Sequence, residues 1–328
     1  MPIVALSAIE EAARRIAGHV RRTPVDLSPS LSKIANVPVH LKLEHRQITG
    51  AFKLRGATNA VLSLSETERQ NGVACASTGN HGRALAHAAS ALGVRCIVCM
   101  SKLVPQNKLD AIAALGAEAR IIGRSQDEAQ REVDRLVAEE GFTDIPPFDH
   151  RAIVAGQGTI GLEMLEDVPG AETILVPLSG GGLIAGIAAA AKGLKPDVRV
   201  IGISMQRGAA MQASLAAGRP VEVEELPTLA DSLGGGIGLA NEWTFEAVRE
   251  LVDEVVLLTE AEIAAGIRHA YFQEREIVEG GSAVGIAALL AGKVRPAGPT
   301  IALLSGRNIA MDLHRRIVEG ANCLEDPA

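Results

Sequence analysis

Strand-like and helix-like segments alternate for most of this chain, and that alternation restricts its fold more than any other feature. Strands joined through helices lie parallel, with the helices covering the sheet. Val73–Ala76 precedes a predicted helix over 83–92, Cys96–Met100 precedes one over 106–115, and Glu118–Ile122 precedes one over 127–140. A second series of strands follows, at Thr173–Val176, Val198–Ile203, Val255–Leu258 and Thr300–Leu304. Between the two series Ile145-Pro146-Pro147-Phe148 interrupts regular structure. The pattern predicts an α/β chain with parallel-sheet cores flanked by helices. It would form two lobes around a cleft, a small one of 72–149 and a large one of 1–71 and 150–328. Ser7 with Glu10, Ser125 with Glu128 and Thr259 with Glu262 have capping-box spacing and mark predicted helix starts.

With 47% hydrophobic residues, 34 glycines and 2% aromatics, the core is expected to consist of Ala, Val, Leu and Ile. A formal charge of −7 with interspersed signs argues against a nucleic-acid surface, which needs concentrated Lys and Arg. The apolar stretch Leu183–Ala191 is too short for a bilayer and ends at Lys192, and no basic segment with a long apolar core opens the chain. No membrane contact and a cytoplasmic setting are expected. Cys75, Cys96, Cys99 and Cys323 are too few for a disulfide framework. Cys96 and Cys99 have redox or zinc spacing, but on a strand they point to opposite faces, so both are read as core residues. His81 and His87, six apart on one predicted helix, do not share the face that a metal pair needs.

Chemistry concentrates in four segments. Thr49-Gly50-Ala51-Phe52-Lys53-Leu54-Arg55-Gly56 sets a lysine between apolar neighbours. Desolvation there would favour the neutral, nucleophilic amine, making Lys53 a candidate Schiff-base lysine; the plain alternative is a stem laid along apolar surface with its charge in water. Ser179-Gly180-Gly181-Gly182 joins the strand Ile174-Leu175-Val176 to a helix, so its amides can face an anion with the helix dipole behind them. It lacks the spacing of a dinucleotide or P-loop turn, and it could equally be a turn that packs a helix on a sheet. Ser77-Thr78-Gly79-Asn80-His81 offers hydroxyls and amides at another helix start, suited either to a carboxylate or to ordinary capping. Ser305 ends the apolar run Ile301–Leu304 at the carboxyl edge of a sheet, where α/β proteins place ligands.

In this order the four motifs resemble the threonine and serine dehydratases, pyridoxal-phosphate enzymes of fold type II, from about Arg22-Thr23-Pro24 to Asn308. The resemblance implies the two-lobed, tryptophan synthase beta-like architecture, pyridoxal 5′-phosphate as cofactor, and a homodimer or higher homo-oligomer. It implies that Lys53 carries the cofactor and acts as catalytic base, with cofactor contacts from Phe52, Asn80, Ser179, Gly180, Gly181, Gly182, Leu183 and Ser305. In the family the loop Ser77, Thr78, Gly79, Asn80 and His81 holds the substrate carboxylate, Asn80 bonds the phenolic oxygen, and Ser305 bonds the pyridine nitrogen. A neutral hydroxyl does not keep that nitrogen protonated, so expulsion of a β-leaving group suits the site better than a long-lived carbanion.

The expected activity is β-elimination from a small hydroxy amino acid such as threonine or serine, giving a keto acid and ammonia. Ala230–Gly238 and Glu274–Gly281 look closest to the hydroxyectoine-utilisation dehydratase branch. An amino-acid racemase is the nearest alternative, with Thr78 as the second acid/base; a noncatalytic ligand-binding protein on the same fold is another. Ala51, Ser179, Arg83 and Arg307 depart from the family pattern and bear on substrate choice. Ser204 stands where some relatives carry a metal-binding glutamate, so no divalent-metal site is expected there. The sequence stops soon after the last motif, and no C-terminal regulatory domain is expected.

Overall fold

A computed structural model of the chain describes residues 3–77, 79–102, 104, 106–123 and 126–324. Its strands are β1 (Val25–Leu27), β2 (Val39–Lys42), β3 (Val73–Ala76), β4 (Cys96–Met100), β5 (Glu118–Ile121), β6 (Thr143–Asp144), β7 (Thr173–Pro177), β8 (Arg199–Met205), β9 (Glu254–Leu258) and β10 (Thr300–Leu303). They form two sheets. The larger runs β1-β2-β10-β7-β8-β9 and the smaller β5-β4-β3-β6. Only the edge pair β1–β2 is antiparallel; every other pairing is parallel, as strand–helix alternation requires.

Parallel strands covered on both faces must be apolar on both sides, and the central strands of both sheets are built this way. In β7 and β10, Leu175 and Ala302 enter one core cluster while Ile174, Val176, Ile301 and Leu303 enter the other. In the smaller sheet Cys75, Cys96 and Val98 pack on one side, and Ala74, Ile97 and Cys99 on the other. Cys96 and Cys99 therefore face apart, as their spacing on a strand predicts. Burial raises both thiols, to about 12 for Cys96 and about 11 for Cys99.

The helix Lys53–Leu62 connects these cores to the site. Its residues Leu54, Ala57, Ala60 and Val61 pack in the cluster of the smaller sheet, together with Ile153 of the helix Arg151–Asp167. The two helices touch at glycines: a Cβ on Gly156 would lie 2.6 Å from Gly56 Cα, so neither position has room for a side chain. Beside this contact lies a buried ion cluster. Arg55 is held by Glu44 at 2.8 and 2.9 Å and by Glu163 at 2.7 and 2.8 Å, while Lys42 Nζ donates to Glu163 at 2.6 Å. Burial alone would push Glu44 up, but Arg55 outweighs it and holds the carboxyl below its ordinary range. Removing one member of such a set strands a buried charge, at a cost of about 3–5 kcal/mol.

Several boundaries differ from expectation. β8 continues through Met205, so Ser204 lies within the strand, buried, with Oγ 3.4 Å from Met205 Sδ. The first helix, Leu6–Ile16, starts one residue before Ser7; its cap position is Ala5 and no side chain caps it, so Ser7 is not the cap. Thr259 and Glu262 do form the reciprocal box, and so do Ser65 and Glu68. Ser125 lies outside the described residues.

Candidate active site

Lys53 opens its helix at a seam between chain segments. Preceding it, Gly50 turns the chain at φ +79°, Ala51 forms an antiparallel bridge with Gly306, and Phe52 N–H donates to the Ser305 carbonyl at 2.9 Å. This ties the lysine to the carboxyl end of β10. The half-buried side chain passes its own Phe52 ring, with Nζ 5.3 Å from the centroid, and Nζ donates to the Pro147 carbonyl at 2.5 Å. Desolvation lowers the Lys53 amine to about 8, partly opposed by Glu279. Neutral amine is thus far more accessible than in an ordinary lysine.

Pro147 leads directly to the glycine turn, because Phe148 packs on it. A Cβ on Gly180 would lie 2.5 Å from the Phe148 ring, and one on Gly182 2.8 Å from the Phe148 carbonyl oxygen. Gly181 has φ +91° and precedes the helix Gly182–Leu194, whose N-terminus no side chain caps. The first-turn amides of that helix have no intrahelical acceptors and remain for an anion. Ser179 is half-buried; Leu183 is buried in the same cluster against which Phe52 packs. Ser305 is buried, and its hydroxyl makes no hydrogen bond to the described protein residues.

The turn after β3 approaches from the smaller sheet. Ser77 accepts from Gly82 N–H through Oγ at 3.3 Å, and Gly79 precedes the helix Asn80–Ala91 with no side-chain cap. Thr78 lies outside the described residues. Asn80 reaches across to Glu279 at 2.8 Å and accepts from Asn308 at 2.6 Å. His81 departs from its expected surroundings: it is buried, and Nε2 donates to the Ile145 carbonyl at 2.7 Å. Burial, then nearby Lys53, pushes its pKa down to about 3, so the ring is neutral and braces the Ile145–Pro147 segment. Arg307 is exposed and Arg83 half-buried.

Glu279 is the principal feature that sequence reading passed over. It is buried at the start of the helix Gly280–Leu290, accepts from Asn80 and from Asn308 N–H, and is raised to about 7 by burial and then by Asp231. Its sequence signal is a glutamate ahead of a pair of glycines and a long apolar helix.

The donor set fits pyridoxal phosphate. A lysine of lowered basicity, an uncapped helix start with glycines for an anion, and an uncommitted buried hydroxyl converge through Phe52, Pro147 and Phe148. Among the described residues no group of three His, Cys, Asp or Glu could hold a metal ion.

Comparison with known proteins agrees with this geometry. A protein of Sinorhizobium fredii provisionally named a threonine dehydratase is 60% identical, over 97% of this chain and 96% of its own. The L-threonine ammonia-lyase of Thermotoga maritima is 39% identical over 96% of this chain and 78% of its own. Among solved structures, the serine racemase of Dictyostelium discoideum superposes with a TM-score of 0.88 at 33% identity, covering 94% of this chain and 99% of that one. The profile of pyridoxal-phosphate dependent enzymes matches residues 16–306, and the chain belongs to that family, with its fold type II architecture.

Proposed function

We propose that the chain is a pyridoxal-phosphate-dependent dehydratase, an ammonia-lyase that removes the β-hydroxyl of threonine or serine and releases a keto acid and ammonia. The observation that carries this reading is Lys53, whose amine is lowered to about 8 at the junction of the glycine turn and the Ser305 strand end. The two relatives named for threonine support the substrate class.

When bound, pyridoxal phosphate supplies an electron sink that acidifies the hydrogen on Cα and lets a β-substituent depart. The chain's residues do the rest. Lys53 Nζ holds the cofactor and, once free, is basic enough to take up the α-proton and weak enough to return it near neutral pH. The amides of Ser179, Gly180, Gly181, Gly182 and Leu183 would hold the phosphate, Phe52 would contact the cofactor, and Ser305 would offer a neutral hydroxyl to the pyridine nitrogen. Ser77, Thr78, Gly79 and Asn80 receive the substrate carboxylate. His81 supports this loop from behind through Ile145.

A second reading, racemisation, is favoured by the superposition on a serine racemase. Incubating one pure enantiomer of threonine or serine and measuring ammonia, keto acid and epimer separates them. Ammonia and keto acid in excess support the dehydratase; a predominant epimer overturns it.

We also propose the division into lobes of 72–149 and of 1–71 with 150–328, a homo-oligomer, and a cytoplasmic setting. Exposed Tyr271 and Phe272, stacked edge-on at 5.1 Å, and exposed Met311 support self-association. Buried unpaired Cys75, Cys96 and Cys99 suit a reducing compartment. Among the described residues no helix is long and apolar enough to cross a membrane.

A further inference from the structure

Asn80, Glu279 and Asn308, far apart in sequence, meet where the two sheets' loops converge. Asn308 Nδ2 donates to the Thr49 carbonyl at 3.0 Å and to Asn80 Oδ1 at 2.6 Å. Asn80 Nδ2 donates to Glu279 Oε1 at 2.8 Å, and Asn308 N–H donates to Glu279 Oε2 at 3.0 Å. A backbone carbonyl can only accept, so Thr49 fixes which end of the Asn308 amide is nitrogen. That nitrogen makes the facing Asn80 atom the oxygen. An ionised carboxylate can only accept, so Glu279 holds the Asn80 nitrogen on the other side. All links run in one direction. The Asn80 carbonyl is committed, and one hydrogen on Nδ2 remains uncommitted.

We propose that Glu279 is a positioning residue that, with Asn308, sets the Asn80 amide to present an N–H rather than its carbonyl to the phenolic oxygen of bound pyridoxal phosphate. The proposal rests on the reading that Asn80 faces that oxygen, and it adds the reason for the amide's polarity. An N–H stabilises the oxygen as an anion, whereas a carbonyl would repel it. Glu279 has little freedom to move away: its backbone N–H donates to the Gly306 carbonyl at 3.1 Å, and a Cβ on Gly306 would lie 2.6 Å from Oε1. The start of the helix Gly280–Leu290 favours the ionised carboxylate, as do the hydroxyl of Ser232 and the ammonium of Lys53; Asp231 opposes it. Raised to about 7 by burial and then by Asp231, Glu279 exchanges its proton around neutrality. A protonated carboxyl can donate, and the directional chain is then released.

The test compares the unmodified holoenzyme with Glu279→Gln, Asn80→Ala, the double variant and Glu279→Asp. Each is measured for the absorption spectrum of bound cofactor across neutral pH and for the dissociation constant from titrating apoenzyme with pyridoxal phosphate. Glutamine keeps one acceptor oxygen and sets an N–H group against either the Asn80 amide nitrogen or the Asn308 N–H, so the side chain can no longer hold both donors. Glu279→Gln should shift the cofactor band and weaken binding about tenfold, the scale of one charge-assisted hydrogen bond. Glu279→Asp should restore part of both. Because Glu279 acts through Asn80, the double variant should be no worse than Asn80→Ala alone. Unchanged spectrum and affinity in Glu279→Gln, or independent losses in the double variant, overturn the proposal while leaving the dehydratase reading standing. If the unmodified chain binds no cofactor, that reading fails and takes the proposal with it. Should Glu279→Gln not fold, Asn308→Ala removes the same constraint from the other side and is judged by the same two measurements.

Discussion

Two glycine-bearing turns end parallel strands at this site, one after β3 and one after β7, and they require their glycines for different reasons. In the turn after β7 the protein itself excludes side chains. Gly180 and Gly182 are pressed by Phe148, and Gly181, at φ +91°, would place a Cβ 2.8 Å from Met211 Cε and 2.9 Å from Thr244 Cβ. In the turn after β3 a Cβ on Gly79 would meet no atom of the described residues within 4 Å. One turn is braced from behind. The other is open, so only what occupies the cleft can object to a side chain there. Glycine in a binding turn is therefore not by itself a sign of anion contact, and loss of cofactor in a Gly181 variant cannot be separated from loss of packing.

The lysine between the turns carries the largest expected effect. Lys53→Ala should abolish turnover, with melting little changed, because the side chain is half-buried at a helix start; a variant that keeps more than a trace of activity contradicts its role. Next comes the brace. Gly181→Ala should destabilise the fold by about 1–3 kcal/mol through left-handed backbone strain and overlap with Met211 and Thr244. Gly79→Ala should stay within about 0.5 kcal/mol by denaturant unfolding while raising KM for the amino acid. Equal destabilisation of the two variants would break the comparison.

Smaller effects appear in pH profiles. In the apo chain, acylation of Lys53 should be half-maximal near pH 8, well below the range of exposed lysines, and a midpoint at the ordinary 10.5 would contradict its desolvation. Burial raises Glu279 from 4.5 to about 7, so between those values the folded chain binds more protons than the unfolded one. Stability should therefore fall as pH rises through that window. Glu279→Gln should flatten this part of the profile, whereas an unaltered slope would assign it to other groups such as Asp144, itself raised to about 6 by burial.

The central strands of both sheets were legible because a strand buried on two faces reads as an unbroken apolar run, as in Cys96–Met100 or Thr300–Leu303. β1 and β6 were not, being very short, and β2 was not, because His40 and the buried Lys42 break its apolar run. The motif residues of the site were visible as types and spacings. Their supports were not, since Glu279 meets Asn80 across 199 residues and Arg55 meets Glu163 across 108. Local pattern carries no record of such partners. His81 shows the same limit: its place in the loop suggested substrate contact, whereas its bond to Ile145 turns the ring inward as a brace.

The central claim is that Lys53 is the residue that carries pyridoxal phosphate between these two turns. Reduction of the reconstituted protein with borohydride, followed by peptide mapping, tests it directly. A pyridoxyl group on Lys53, lost in Lys53→Ala, is the predicted result. Recovery of the group on another lysine, or a protein that develops no chromophore with the cofactor, would contradict the account.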